Sequence, residues 1–258
     1  MAIDLSGKVA IVTGGAGGLG SATARALSAA GAQVLVSDIN DIAGKALADE
    51  VGGSYHHTDV ASYEENVDLV ETAIARYGRL DFIHLNAGVA TFTAPGSPFD
   101  IDKYRRAMSI NLDGVVYGAQ AAFEELKKTG GSAVATASLA GLTGVPMDPF
   151  YSANKHAVVG LVRALGPAWI GEGVRINAVC PGFAESAIVD PIRDYLDQAG
   201  LPLIDADIVA DTVVRLFCGP MTGECWYIQV GREPEPFNFR NIPGPRVGAQ
   251  QPTESDQR

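Results

Sequence analysis

Short apolar, β-branched runs alternate along the chain with longer stretches whose apolar positions recur at helical spacing. The short runs fall at Val9–Thr13, Gln33–Ser37, Ser54–His57, Phe82–Leu85, Ser132–Thr136, Arg175–Val179 and Cys225–Val230. The helical stretches fall at Leu19–Ala30, Ile42–Val51, Tyr63–Tyr77, Ile101–Lys128 (read as two helices), Phe150–Ile170, Ile188–Gln198 and Asp207–Phe217. Successive strands are joined by crossovers long enough for a helix. That alternation predicts an α/β doubly wound fold, a seven-stranded parallel sheet with helices on both faces. Residues 1–231 read as one domain. From Arg232 the chain turns proline-rich and polar and loses its periodicity. This predicts an irregular tail over 232–258, mobile at its end, with Phe237 and Phe239 as candidates to anchor it on the body or on a neighbouring subunit.

Composition narrows the function. The 258 residues are 47% hydrophobic and 19% charged, enough for a sizeable core and unlike a disordered or fibrous chain. Thirty acidic residues against 19 basic ones give a net charge of -11. Phosphate backbones and anionic lipid surfaces repel such a chain, so nucleic acid and membrane are not expected partners. Cys180, Cys218 and Cys225 are too few and too scattered for a disulfide framework or a zinc pattern. They read as small buried core residues in a reducing compartment, and no metal is expected. The start MAIDLSGK lacks the basic and apolar regions of a secretory signal. The uncharged stretch Val9–Ala24 is interrupted by glycines, which argues against a membrane span there. A soluble, cytoplasmic protein is expected.

The glycines carry the first chemical signal. Thr13-Gly14-Gly15-Ala16-Gly17-Gly18-Leu19-Gly20 follows the first strand and opens the first helix. Glycines let backbone approach a pyrophosphate closely, and the helix N-terminus offers it unpaired N–H groups and partial positive charge. A glycine run alone also reads as a plain turn, but between a strand and a helix it is expected to be the dinucleotide site of a Rossmann fold. Asp38 ends the second strand, where a carboxylate accepts hydrogen bonds from an adenosine ribose and repels a 2′-phosphate. Gly17 supplies no cation for that phosphate, so NAD is expected over NADP. Asp59 and Val60, after the third strand, are placed to meet the adenine edge, Val60 through its amide; Asp59 also reads as a helix cap.

A second signal is Tyr151-Ser152-Ala153-Asn154-Lys155, which puts Tyr151 and Lys155 one helical turn apart on one face. A phenol ionises near pH ~10, and a neighbouring ammonium favours the phenolate. Ser138, at a strand end, has a hydroxyl suited to hold a substrate oxygen. His156 follows Lys155, but its helical phase points it away from Tyr151.

With these motifs in place the chain resembles the short-chain dehydrogenase/reductase family from about Leu5 to Gly231. TGGAGGLG, LNAG (Leu85–Gly88), Asn111, Ser138, YSANK and Pro181-Gly182 occur in the family's order and spacing. The resemblance implies that Gly14, Gly18 and Gly20 form the phosphate loop, with backbone from Leu19. It implies that Asp38 binds the ribose and that Asn86, Ala87 and Gly88 lie beside the adenosine half. Tyr151 is then the general acid/base, Lys155 lowers its pKa and binds the nicotinamide ribose, and Ser138 orients the substrate oxygen. Asn111 anchors a water linking Lys155 to solvent. Pro181, Gly182, Phe183 and Ser186 flank the nicotinamide. Two departures stand out. Leu85 replaces the Asn common before Asn-Ala-Gly, and the C-terminal strand lacks the usual Asp-Gly-Gly. The stretches LAG…YSANKHAVVG and CPGFAESAI are similar to the 15-hydroxyprostaglandin dehydrogenases.

The expected function is an NAD-dependent oxidoreductase interconverting a hydrophobic secondary alcohol and its ketone. The alternative is a dinucleotide-binding sensor without chemistry. Val89–Phe99, Leu139–Phe150 and Phe183–Leu201 are expected to wall the substrate pocket, supplying Phe92, Leu142, Val145, Met147, Phe150, Phe183, Ile188 and Leu196. Arg193 is the nearby cation considered for a substrate carboxylate. Helices Ile110–Lys128 and Phe150–Ile170 are apolar on more than one face, and the family assembles through them, so a homotetramer (or homodimer) is expected.

Overall fold

The computed structural model describes residues 3–93, 96 and 98–240. Strands β1 (Val9–Thr13), β2 (Gln33–Asp38), β3 (Ser54–His57), β4 (Phe82–Leu85), β5 (Ser132–Thr136), β6 (Arg175–Pro181) and β7 (Cys225–Ile228) pair in parallel. Their order across the sheet is β3-β2-β1-β4-β5-β6-β7, with a short β8 (Glu235–Pro236) antiparallel on the β7 edge. The chain winds outward from β1 to β3, then restarts at β4 on the other side of β1. The crevice of a doubly wound sheet opens at that reversal, beyond the C-terminal strand ends.

The sheet is buried because both faces are covered. All five residues of β1 are buried. They alternate between two cores: Ile11 packs with Leu69, Val115 and Val158, whereas Ala10 and Val12 pack with Leu27, Val213 and Phe217. The first core lies under α3 (Tyr63–Tyr77), α5 (Gly114–Thr129) and α6 (Pro149–Trp169). The second lies under α1 (Gly18–Ala29), α2 (Asp41–Glu50) and α8 (Ala206–Cys218). No helix among the described residues is long and apolar enough to cross a membrane.

Three features differ from expectation. The stretch Ile101–Lys128 is α4 (Ile101–Met108) and α5 joined by a widened π turn at Ser109–Asp113, with Asn111 at its centre. Ile188–Gln198 holds only a single tight turn and α7 (Arg193–Gln198). The segment after Arg232 begins with β8, where Phe237 N–H donates to Cys225 O at 2.8 Å. Pro236 has no N–H, which suits an edge position. Beyond it Phe239 packs on the first core, with the Arg163 guanidinium 3.7 Å from its ring centroid. The tail's expected mobile end, from residue 241, lies outside the described residues. Cys180 and Cys225 are buried as expected, but Cys218 is exposed, because it ends α8 at the surface.

Candidate active site

A cleft of about 510 Å³ runs across the C-terminal strand ends. Gly14, Gly18, Leu19, Asp38, Asp59, Val60, Asn86, Ala87, Gly88, Ser138, Tyr151, Lys155, Pro181, Gly182, Phe183 and Ser186 all line it. Gly20 and Asn111 stand behind its wall.

At one end is the loop between β1 and α1. A Cβ on Gly20 would fall 2.2 Å from Gly14 O, so this glycine lets the helix sit directly on the loop. A Cβ on Gly18 would fall 2.4 Å from Glu185 O, so Gly18 lies under the segment after β6. The N-cap of α1 is Gly17, without a side-chain cap, whereas Asn40, Ser62, Asp148 and Asp205 cap α2, α3, α6 and α8. The first N–H groups of α1 are thus left for a bound anion, which fits a dinucleotide phosphate. Asp38 is held by Ala16 N–H on Oδ2 and Asn40 N–H on Oδ1, both at 2.9 Å. A carboxylate has lone pairs to spare beyond these two. Asp59 Oδ1 accepts the Ala61 N–H at 3.0 Å. Ile39, not singled out from the sequence, also faces the cleft.

The middle of the cleft is built by β4, β5 and α6. Asn86 donates to Thr13 O at 3.1 Å and accepts from the Thr136 hydroxyl at 3.1 Å, joining three neighbouring strand ends. Lys155 is only 2% exposed. Its Nζ donates to Thr136 O at 2.8 Å and lies 5.6 Å from the Tyr151 ring centroid. Burial pulls the Lys155 ammonium down to about 8. Burial also pushes the Tyr151 phenol up to about 12; the neighbouring Ser138 hydroxyl opposes this, and the Asp148 charge adds to it. Ser138 Oγ accepts the Ala140 N–H at 3.1 Å at the start of the turn after β5.

Asn111 is fully buried, and its carboxamide is committed to Val89: Oδ1 accepts the Val89 N–H and Nδ2 donates to Val89 O, each at 2.8 Å. A Cβ on Gly88 would lie 3.2 Å from Asn111 Oδ1 and 3.5 Å from Lys155 Nζ, so the bare glycine lets both groups approach the same backbone.

The far end of the cleft is apolar. Phe92, Val145, Met147, Phe183 and Ile188 line it as expected, joined by Val189 and Ile192. Three expected wall residues do not. Leu196 is fully buried, Leu142 packs on the first core, and the Phe150 ring packs against Phe99 and Tyr104 at 5.4 and 5.5 Å. Leu196 turns into the interior, whereas Leu142 and Phe150 are only partly buried and are taken up by neighbouring side chains outside the cleft. Arg193 is paired with Glu185 and Asp190 instead of facing the cleft; Arg106 lines it. His156 is exposed and meets Ser152 O at 2.9 Å.

The residue most clearly missed is Asp148, which lines the cleft and caps α6 three residues before Tyr151. Its signal was legible, since an acid followed by proline marks a helix start.

Comparisons with known proteins bear on the family. Residues 8–197 match the family model described as short chain dehydrogenase. A 2,5-dichloro-2,5-cyclohexadiene-1,4-diol dehydrogenase of Sphingobium indicum is 40% identical over 77% of this chain and 80% of its own length. A cis-4-hydroxycyclohexanecarboxylate dehydrogenase of Sinomonas cyclohexanicum is 35% identical over 81% of each chain. A 3-alpha-(or 20-beta)-hydroxysteroid dehydrogenase of Mycobacterium bovis is 34% identical over 76% of each. The crystal structure of a short-chain type dehydrogenase/reductase from Mycobacterium marinum superposes with a TM-score of 0.83 at 28% identity, covering 89% of this chain and 97% of that one. The chain belongs to the short-chain dehydrogenase/reductase family.

Proposed function

We propose that the protein is an NAD(H)-dependent dehydrogenase that interconverts a hydrophobic, ring-borne secondary alcohol and its ketone. The observation that carries this reading is the meeting of Tyr151, Ser138 and buried Lys155 where an apolar pocket joins an uncapped glycine-loop helix. The apolar wall favours a hydrophobic substrate. The ring is suggested by relatives named for a cyclohexadiene diol, a hydroxycyclohexanecarboxylate and a hydroxysteroid.

The bound nicotinamide dinucleotide supplies the hydride acceptor in oxidation and the hydride donor in reduction. The proton falls to the chain. Ser138 Oγ holds the substrate oxygen, and Tyr151 Oη takes its proton in oxidation and returns one in reduction. Lys155, fixed by Thr136 O, places a positive charge beside the phenol and favours the phenolate. It also serves the nicotinamide ribose, with Pro181, Gly182, Phe183 and Ser186 beside the ring. Because the Asn111 carboxamide holds Val89, anchoring a water for proton exchange falls to the Asn111 main chain in its widened turn. At the other end Asp38 receives the ribose hydroxyls, Asp59 and Val60 the adenine edge, and Asn86, Ala87 and Gly88 border the adenosine. Asp38 and the absence of a Lys or Arg among neighbouring Ala16, Gly17, Ile39 and Asn40 favour NAD over NADP. Free thiols suit a reducing, cytoplasmic setting. The assembly we propose is a homotetramer built on α5 and α6.

The test is turnover of a panel of alicyclic secondary alcohols with NAD and NADP in parallel. At least one alcohol should reduce NAD, with kcat/KM about 100-fold or more above that with NADP, the size of a like-charge penalty of several kcal/mol. Tight dinucleotide binding with no turnover of any alcohol would instead make the protein a sensor.

A further inference from the structure

Asp148 makes more contacts than capping a helix requires. It is 5% exposed, and among the described residues no cation pairs with it. Its Oδ2 accepts the N–H groups of Thr91 at 2.9 Å and Phe92 at 2.6 Å. Its Oδ1 accepts the Thr91 hydroxyl and the Tyr151 N–H, the latter at 3.1 Å. Only the last of these four bonds is the cap. The other three reach a loop more than fifty positions earlier in the chain.

That loop is held in an unusual shape. Phe92 has φ of +45°, among the described residues the one non-glycine in the left-handed region. Such a backbone persists only where its surroundings enforce it, and here the Asp148 carboxylate grips its N–H. The bend leaves the Phe92 side chain on the substrate wall of the cleft.

We propose that Asp148 is a positioning residue for the reaction: it ties the substrate wall at Thr91–Phe92 to the start of the helix that carries Tyr151. The proposal rests on the dehydrogenase reading above. Substrate is pressed between the Phe92 wall and the phenol, and one carboxylate sets the spacing of both. Its charge also acts on the phenol from close by, since Asp148 adds to the upward push on Tyr151.

Asp148→Ser separates this role from capping. Serine is a good N-cap for the Tyr151 N–H, but it is too short for the loop and carries no charge. In Asp148→Ser the KM for the alcohol should rise about ten-fold or more while the KM for NAD stays within about two-fold, as lost orientation at one wall implies. The acidic limb of kcat/KM for oxidation should move to lower pH, because removing a negative charge makes the phenolate easier to form. Amide exchange at Thr91 and Phe92 should quicken about ten-fold or more, as expected once a buried charged acceptor is lost. An alcohol KM, pH limb and loop exchange like the wild type's, with only a lower melting temperature, would make Asp148 a helix cap and overturn the proposal. If Asp148→Ser does not fold, Thr91→Val removes one bond of the tie without touching α6. It should raise the alcohol KM and the Phe92 exchange rate by about three-fold, and no change in either would overturn the proposal. If the wild type oxidises no alcohol, the dehydrogenase reading fails on its own; loop exchange in Asp148→Ser then decides whether the tie exists.

Discussion

Lys155 and Tyr151 are driven apart by the same burial: the ammonium falls to about 8 and the phenol rises to about 12. For Lys155 this has a consequence for stability. The unfolded chain holds that proton up to about pH 10.4, whereas the folded chain releases it near 8. Between those values the unfolded state binds more protons, so stability rises with pH across this window. Below pH 8 both states are charged and the buried charge carries its full cost. Lys155→Met removes the effect. The stability of the cofactor-free wild type relative to Lys155→Met should therefore climb by up to about 3 kcal/mol between pH 8 and pH 10.4, read by urea unfolding. A flat difference would mean that Lys155 titrates as it does in water. Tyr151 works in the opposite sense above pH 10, since its folded pKa is raised and stability is lost as the pH climbs past the unfolded value.

At the scale of elements, the tail beyond β7 offers a simple test. Phe239 is partly buried on the first core beneath Arg163 and does not line the cleft. Phe239→Ala should cost about 1–2 kcal/mol, from partial apolar burial plus a cation–π contact, and lower the melting temperature by several degrees. Its kcat/KM should stay at the wild-type level; an unchanged melting temperature would show that the aromatic does not anchor the tail. This element was also the hardest to read from sequence. Glu235-Pro236 is too short for a period, and its proline argues against a strand unless the edge it covers is already known. The seven parallel strands were legible because runs such as VAIVT are apolar at every position, the mark of a sheet buried on both sides. The glycine loop and the Tyr151–Lys155 pair were legible because their chemistry depends on local spacing. The π turn at Asn111 was not, since Ile101–Lys128 keeps a helical pattern through it. The Asp148–Thr91 bond was out of reach for another reason: its partners meet only in the tertiary fold. Leu142, Phe150 and Leu196 were misplaced because a wall assigned by segment says nothing of which side chains turn to the cleft and which to other neighbours.

For the whole molecule, the two cores leave the outer faces of α5 and α6 uncovered, with Val116, Ala153, Gly160 and Ala164 exposed. Small residues allow helices to approach closely, and a two-fold axis would bury the same patch on both subunits. Light scattering at micromolar concentration should report four times the 26.9 kDa chain mass. A species at the single-chain mass would refute an assembly on these helices.

The proposed chemistry turns on Tyr151 exchanging the proton of the substrate oxygen. Tyr151→Phe keeps the ring and its packing and removes only the hydroxyl. NADH titration and steady-state oxidation of an alcohol used by the wild type, run on the same preparation, test the claim directly. NADH should bind within about two-fold of the wild type and kcat/KM should fall by about 100-fold or more, the range of a lost general base. Turnover near the wild-type rate with NADH bound would contradict it.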